Sequence, residues 1–229
     1  MVDITKNKNK AFSLAELLLA MTIVGVISAL TVPSLKHHAD EAKFVAATQK
    51  AMSEIAAITA SLELKHGDAS TWGKFNSTTV NWYKNEANTV PLPNSLSTYN
   101  GKKYYLTKRL SGENWTWFYP DFMTADDMLW RVSDGGYPCG GGAIIIDVNG
   151  PELPNTVGID IHGFRIGHLC GEKDSSGNAP KLGDFGIYAM GDNVNDKNSV
   201  WSCTSYVIKH KEMPWLHQRT ANCNGYLGK

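Results

Sequence analysis

The sequence has no excess of charge of either sign. Its 229 residues carry 22 Lys+Arg against 22 Asp+Glu, whereas a nucleic-acid-binding protein needs a concentrated basic surface. This balance argues against nucleic acid as a partner. A wholly disordered chain is also excluded, because 42% of the residues are hydrophobic and 10% are aromatic.

The signatures of common catalytic sites are missing as well. The seven histidines are scattered, and the sequence contains neither H-E-x-x-H nor G-x-S-x-G. The glycines that follow Cys139 lack the lysine or the glycine spacing of a phosphate-binding loop. The sequence therefore predicts a protein that is not an enzyme. A membrane-anchored hydrolase stays open as an alternative, which a catalytic pair in a cleft would favour.

Charged residues are absent from one long stretch near the N-terminus. No charge occurs in the 19 residues from Leu17 to Leu35, and a helix of that length spans about 28 Å, close to the hydrocarbon thickness of a bilayer. Lys6, Lys8 and Lys10 precede the run, and positive charge keeps that end cytoplasmic. Because the run is too long for the apolar core of a secretory signal peptide, it predicts a membrane-spanning helix.

Glu16 lies at the start of this apolar run. A carboxylate inside a membrane is costly and indicates a function by default. The alternative is that Glu16 sits at the membrane interface and stays hydrated, which costs far less.

The order of residues around Glu16 resembles the N-terminus of type IV prepilins and of the pseudopilins of type II secretion. The match is carried by residues 11–17, AFSLAEL, behind a short basic leader. The resemblance implies that prepilin peptidase cuts between Ala11 and Phe12 and methylates the new amine of Phe12. Glu16 then becomes the fifth residue of the mature chain, and Pro33 takes a position where the family often has a helix-kinking proline. Most family members have Gly before the cut, where this chain has Ala11.

The resemblance also implies a location, a function and partners. The expected function is a structural subunit of a type IV pilus or a type II secretion pseudopilus. The chain would cross the bacterial inner membrane once, with its N-terminus in the cytoplasm, and then enter a filament in the periplasm or at the cell surface. Its partners would be prepilin peptidase, the inner membrane and other pilin or pseudopilin subunits. In the filament, Glu16 would pair with the N-terminal amine of a neighbouring subunit and set the register between them. A filament-tip adhesin or ligand-binding minor pilin is the alternative.

Four segments follow from these patterns. Residues 1–11 are the expected leader, and residues 12–35 form the membrane-spanning or filament-core helix. Residues 36–66 continue the helix in amphipathic form, and residues 67–229 form a globular domain. The apolar stripe of the continuation recurs at spacings of three and four, and Gly67 is a plausible end. The stripe consists of Phe44, Ala47, Ala51, Ile55, Ile58 and Leu62.

The globular domain is expected to be a small antiparallel sheet against which the helix packs. Residues 68–100 read as loop, with a hairpin turn at Asn100-Gly101. Short apolar or alternating runs at residues 128–134, 142–150, 185–190 and 203–212 predict three to five strands. The predicted class is therefore α+β, in an arrangement that is also pilin-like. The many Trp and Tyr residues are expected to complete the core, and the alternative is that they stack against a ligand such as a sugar.

Residues 147–164 resemble a signature of many prepilin-type proteins. It consists of Asp147, Asn149, Gly150, Pro154, Asn155, Gly158, Asp160 and Phe164. Its oxygen-bearing side chains Asp147, Asn149 and Asp160 are weak calcium candidates, as are Asp192 and Asp196 in a second loop. The alternative is ordinary turn chemistry, in which Asp and Asn bond their own backbone. No other cofactor is expected.

The four cysteines predict disulfides in an exported domain. Four cysteines allow three connectivities, and we expect Cys139–Cys170 and Cys203–Cys223 because each pair closes a local loop. Free, buried thiols are the alternative.

Overall fold

The structure is a computed structural model that describes residues 13–134, 141–170, 182–191, 200–216 and 223. Its contacts divide the chain into two units, Met1–Asp40 and Glu41–Lys229. One long helix, α1 (Leu14–His66), begins in the first unit and ends in the second. As predicted, Gly67 ends it in the left-handed conformation, with φ of 82°. The Gly67 N–H donates to the Glu63 carbonyl over 2.9 Å, which satisfies a carbonyl of the last turn.

The part of α1 in the second unit buries the predicted apolar stripe. Phe44, Ala51, Ile55 and Leu62 are buried, and two further stripe residues pack on the same core while remaining half-buried. Thr59 lies in this buried face, and its hydroxyl shares a 2.7 Å hydrogen bond with the hydroxyl of Tyr83. The amphipathic continuation therefore packs on the globular domain through the face that its periodicity indicates.

Residues 68–100 are not the loop that the sequence predicts. They contain a 3-10 helix, Ala69–Thr71, and a second α-helix, α2 (Ser77–Glu86). Asn76 caps α2, since its side chain accepts the backbone N–H groups of Thr78 and Thr79. The Thr79 hydroxyl accepts the Asn76 N–H in return. The prediction was wrong because α2 is polar over most of its surface and lacks a clear apolar period.

The described residues form nine strands, more than the three to five predicted. In chain order they are β1 (Thr89–Val90), β2 (Ser97–Tyr99), β3 (Lys102–Lys108), β4 (Asn114–Phe118), β5 (Phe122–Thr124), β6 (Leu129–Ser133), β7 (Gly142–Asp147), β8 (Ile161–Cys170) and β9 (Leu182–Ala189). Six of them make an antiparallel sheet in the order β1-β5-β6-β7-β8-β9, and β2-β3-β4 make a second one. The short strands β1, β2 and β5 have only two or three residues each, too few to give an alternating pattern.

The hairpin predicted at Asn100-Gly101 joins β2 to β3. Both residues have positive φ, 48° and 74°, as the favoured two-residue hairpin turn requires.

Residues 203–210 are a helix, α3 (Cys203–His210), and not the terminal strand that the sequence predicts. Its first five residues are all buried, so burial does not alternate as it does in a half-buried strand. The run is rich in β-branched and aromatic residues, which imitates a strand, but packing on the sheet overrides that propensity. A 3-10 helix, Pro214–Leu216, follows.

The core of the second unit lies between α1 and the six-stranded sheet. Trp130 on β6 and Phe122 on β5 are buried and stacked, with ring centroids 5.7 Å apart. Ile55 and Leu62 of α1 belong to the same cluster. The α+β, pilin-like arrangement predicted from the sequence is confirmed.

Candidate functional site

The N-terminus of α1 is closed by a reciprocal cap between Ser13 and Glu16. Glu16 Oε2 accepts the Ser13 N–H over 2.8 Å and the Ser13 hydroxyl over 3.0 Å. The Glu16 N–H donates to Ser13 Oγ over 3.2 Å. This S-x-x-E capping box satisfies two backbone donors that the first helical turn would leave free. Glu16 is therefore also a capping residue, which the sequence reasoning missed although the S-x-x-E spacing was present.

The helix beyond this cap is apolar and uncovered. The span Leu14–Thr31 has a mean hydropathy of 2.1, and none of its residues is buried. Ten of its large hydrophobic side chains are each at least 48% exposed. The hydroxyls of Thr22 and Thr31 donate to carbonyls one turn earlier, over 2.7 and 2.9 Å, so neither threonine adds an unsatisfied donor. By length and composition, this helix can cross a membrane.

Comparison with known families agrees with this geometry. A family described as "Prokaryotic N-terminal methylation motif" matches residues 6–32. The chain carries a prokaryotic N-terminal methylation motif. The methylation motif is typical of type IV pilins and type II pseudopilins, which confirms the resemblance seen in residues 11–17. No curated protein and no solved structure is similar enough to the whole chain to count as a match.

The methylation motif covers all the residues expected to act in processing. Ala11 and Phe12 fall inside the match but lie outside the described residues, so cleavage and methylation there stay predictions. Glu16 lies in the first turn of α1. Pro33 lies one residue beyond the match, and the helix continues past it.

A disulfide joins α3 to the C-terminal segment. Cys203 and Cys223 are bonded, with Cα atoms 5.3 Å apart and a sequence separation of 20, which confirms this predicted pair. Cys170 ends β8. Cys139 lies outside the described residues, so its pairing with Cys170 stays a prediction.

The signature at residues 147–164 surrounds two buried carboxyl groups. Asp147 and Asp160 are both fully buried. Asp147 accepts hydrogen bonds from the hydroxyl of Tyr105 and, over 3.3 Å, from the Asn149 N–H. The two oxygens of Asp160 accept the N–H groups of residues 155 and 156 over 2.7 and 2.6 Å. The backbone bonds tie the loop between β7 and β8 to its own strand ends, and the Tyr105 bond ties β7 to β3.

Burial controls the ionisation of this pair. It raises the pKa of Asp147 well above its usual value, and the nearby charge of Asp160 adds to the effect. Burial also raises the pKa of Asp160, to about 7, against the opposing effect of its N–H donors. Burial and the Asp147 carboxylate raise the pKa of Tyr105. The Tyr105–Asp147 contact links residues 42 apart, and no local sequence signal could have predicted it.

His162 lies two residues beyond this pair and is also fully buried. Its Nε2 lies 2.9 Å from the Ile159 carbonyl and Nδ1 lies 3.4 Å from the Thr204 hydroxyl. Burial lowers the pKa of His162 to about 4, so the ring is neutral at physiological pH and Nε2 donates to the carbonyl. The histidine therefore links β8 to α3 as a structural group.

The predicted calcium ligands of the first loop are already engaged in the fold. The carboxyl oxygens of Asp147 and Asp160 accept hydrogen bonds from within the fold. No group of three or more metal-binding side chains occurs in the described part of the chain. The amide oxygen of Asn149 is spare, but calcium takes six to eight oxygens. This arrangement does not fit calcium, and we derive no role for it there. Asp192 and Asp196 lie outside the described residues.

Aromatic side chains divide between the core and the surface. Tyr83 and Trp130 are fully buried in the main cluster, which is the expected core function. Tyr99 and Trp117, by contrast, are 62% and 47% exposed on the three-stranded sheet.

Proposed function

We propose that this chain is a structural subunit of a type IV pilus or of a type II secretion pseudopilus. Prepilin peptidase would cut between Ala11 and Phe12 and methylate Phe12. The chain would then pass from the bacterial inner membrane into a filament assembled through α1. The observation that carries the proposal is the methylation motif at residues 6–32, because it coincides with an apolar helix that none of the described residues covers.

The geometry of Glu16 supports this function. Both Ser13 donors bind Oε2, so Oε1 accepts no hydrogen bond from any residue that the structure describes. An ionised carboxylate has about four acceptor sites on its two oxygens. The capping box can therefore hold the carboxylate in place while Oε1 binds the N-terminal amine of a neighbouring subunit.

The alternative of a membrane-anchored hydrolase has no comparable support. The acids and the histidine with the largest pKa shifts are Asp147, Asp160 and His162. All three are fully buried, so a substrate cannot reach them without opening the core. Their shifts are explained by packing rather than by catalysis.

Three variants separate the assembly contact from the cap. Glu16→Gln keeps an acceptor for the Ser13 donors but removes the charge, Ser13→Ala removes the hydroxyl of the cap but keeps the charge, and Glu16→Ala removes both. We expect Glu16→Gln and Glu16→Ala to leave processing intact but to lower the ratio of sheared-filament to membrane protein at least tenfold. A buried amine without its partner costs roughly 3–5 kcal/mol. Ser13→Ala should cost only about 1 kcal/mol of cap and leave the ratio within a fewfold of wild type.

The same preparations test the family assignment. The intact mass of filament protein should correspond to residues 12–229 with one added methyl group. An uncut leader in filaments would overturn the processing step. A ratio that falls in Ser13→Ala and Glu16→Ala but not in Glu16→Gln would assign Glu16 to helix capping alone.

A further inference from the structure

A polar cavity opens where the three-stranded sheet meets the six-stranded sheet. Its volume is about 500 Å³, within the range of small-ligand sites. The start of β3 lines one side, the segment after β4 a second and the end of β6 a third. All of these elements belong to the unit Glu41–Lys229, so the apolar span Leu14–Thr31 takes no part in the cavity.

Positive charge dominates this cavity. Lys102, Lys103 and Arg131 line it together with a single carboxylate, Asp121. Lys102 and Arg131 form no ion pair with any residue in the described ranges, and Lys103 reaches only the Leu96 carbonyl, over 3.4 Å. The backbone N–H of Val132 on β6 donates to Asp121 Oδ2 over 2.8 Å, which holds this carboxylate in place. The cavity therefore has a surplus of two positive charges and attracts an anion.

A row of aromatic rings leads into the cavity along the three-stranded sheet. Tyr119 lines the cavity, and its ring lies 5.7 Å from that of Tyr104. Tyr104 in turn meets Trp117 edge-on at 5.0 Å. Trp117 is 47% exposed, although a large aromatic side chain gains free energy from burial. Exposed aromatics beside a polar cavity are typical of a surface that stacks on a ligand.

We infer that this cavity and its aromatic row bind a carboxylated sugar. The apolar C–H face of a sugar ring would lie on the aromatic side chains, and its carboxylate would meet Lys102 and Arg131. Sugar hydroxyls can donate to the Asp121 carboxylate and exchange hydrogen bonds with Ser133, which also lines the cavity.

The same features disfavour a nucleic acid. Lys102, Lys103 and Arg131 surround one cavity, whereas single-strand binding requires a positively charged groove that tracks the backbone. The chain as a whole also has no net charge, whereas nucleic-acid binding relies on a concentrated basic surface.

The test is a titration of the full-length protein in a detergent without sugar groups, followed by tryptophan fluorescence and calorimetry. The probes are a galacturonate trisaccharide, sialyllactose, a neutral glucose trisaccharide and a ten-nucleotide thymidine strand. The two carboxylated sugars distinguish a uronate from a sialic-acid ligand. We expect at least one of them to bind roughly tenfold or more tightly than the neutral sugar, as charge-assisted hydrogen bonds allow.

Single substitutions locate the binding. Arg131→Gln and Lys102→Gln should each weaken the carboxylated sugar about tenfold, and Trp117→Ala should weaken every sugar roughly three- to tenfold. Lys74→Gln is the matched control, because Lys74 is an exposed lysine that does not line the cavity. Near-UV circular dichroism is used to check that each variant is folded. If Arg131→Gln does not fold, Lys102→Gln still tests the role of the cations, because Lys102 lies at the exposed start of β3.

Three results would overturn the inference. Equal binding of carboxylated and neutral sugars would remove the role of the cations. Unchanged affinity in Lys102→Gln and Trp117→Ala would place binding elsewhere. Tighter binding of the thymidine strand than of either acid sugar would assign the surface to single-stranded nucleic acid.

Discussion

The buried carboxyl groups of Asp147 and Asp160 make the stability of the globular unit depend on pH. The substitution Asp160→Asn tests this dependence. Burial raises the pKa of Asp160 from 3.8 to about 7. Between these values the folded protein holds a proton that the unfolded chain releases. The contribution of Asp160 to stability is therefore greatest at low pH and is lost as pH rises through this window.

The size of the effect follows from the shift of about three pKa units. At 1.36 kcal/mol per pKa unit, the full loss is on the order of 4 kcal/mol, of which roughly 2–3 kcal/mol falls between pH 5 and pH 8. Asp147 acts in the same direction, because its pKa is also raised by burial and by the charge of Asp160.

His162 opposes this effect. Burial lowers its pKa from 6.5 to about 4, so the unfolded chain binds a proton that the folded protein rejects. Its contribution to stability is lost as pH falls, and between pH 5 and pH 8 it adds about 2 kcal/mol. In the wild type, the two effects of Asp160 and His162 nearly cancel.

Asp160→Asn should remove the contribution of Asp160 and leave those of Asp147 and His162. The variant has a cost at every pH, because its amide NH2 replaces an oxygen that accepts a backbone N–H over 2.6 or 2.7 Å. This loss of stability is the same at every pH, because the amide does not ionise. Relative to wild type, the free energy of unfolding should shift in favour of the variant by roughly 2–3 kcal/mol between pH 5 and pH 8.

The assay is urea unfolding of the full-length protein in a nonionic detergent at pH 5, 6, 7 and 8. Near-UV circular dichroism is the signal, since Trp130 is fully buried and reports on the core. Asp127→Asn is the control, because Asp127 is an exposed carboxyl group in a left-handed conformation that Asn tolerates. A difference between Asp160→Asn and wild type that stays constant over this pH range would refute the reasoning.

Two further predictions concern the packing of the globular unit. Cys223→Ser should lower the free energy of unfolding by about 3 kcal/mol, since the disulfide with Cys203 closes a loop of 20 residues. In the presence of a reductant, wild type and Cys223→Ser should unfold at nearly the same urea concentration, and a persistent gap would mean that the buried thiol itself matters. Ile55→Ala should cost about 2–5 kcal/mol because Ile55 is fully buried. Leu64→Ala, at a residue that is 91% exposed on the same helix, should change stability by no more than about 0.5 kcal/mol, and equal costs would contradict the packing of α1.

The sequence predicted those features that depend on neighbouring residues. The apolar run, the stripe from Phe44 to Leu62, the stop at Gly67 and the turn at Asn100-Gly101 all follow from local spacing. The same holds for the Cys203–Cys223 pair, which closes a short loop. Each of these features is encoded by residues that lie close together in the sequence.

Features decided by distant contacts were missed or mistaken. The segment at 203–210 has strand-like composition, yet its buried face packs on the sheet as α3. The polar helix α2 is held by its cap and by Tyr83, whose hydroxyl bonds Thr59 on α1. The Tyr105–Asp147 pair joins β3 to β7. In each case the decisive partner lies tens of residues away, and local pattern contains no information about it.

The two parts of α1 bury their apolar side chains against different partners, and this difference bears on how a filament would form. The second part buries its stripe against its own chain. The first part exposes ten large hydrophobic side chains, whose full burial is worth roughly 15–30 kcal/mol at 1.5–3 kcal/mol each.

A membrane supplies that free energy as well as neighbouring helices do, because lipid tails are as apolar as leucine. Moving the helix from membrane to filament therefore gains little from hydrophobic burial, and close packing and polar contacts must decide the transfer. Glu16, with Oε2 held by Ser13 and Oε1 open, is the ionisable group that the apolar span Leu14–Thr31 offers for such a contact. Under the proposed function, assembly should consequently be far more sensitive to the charge at Glu16 than to the removal of any one exposed leucine from the helix.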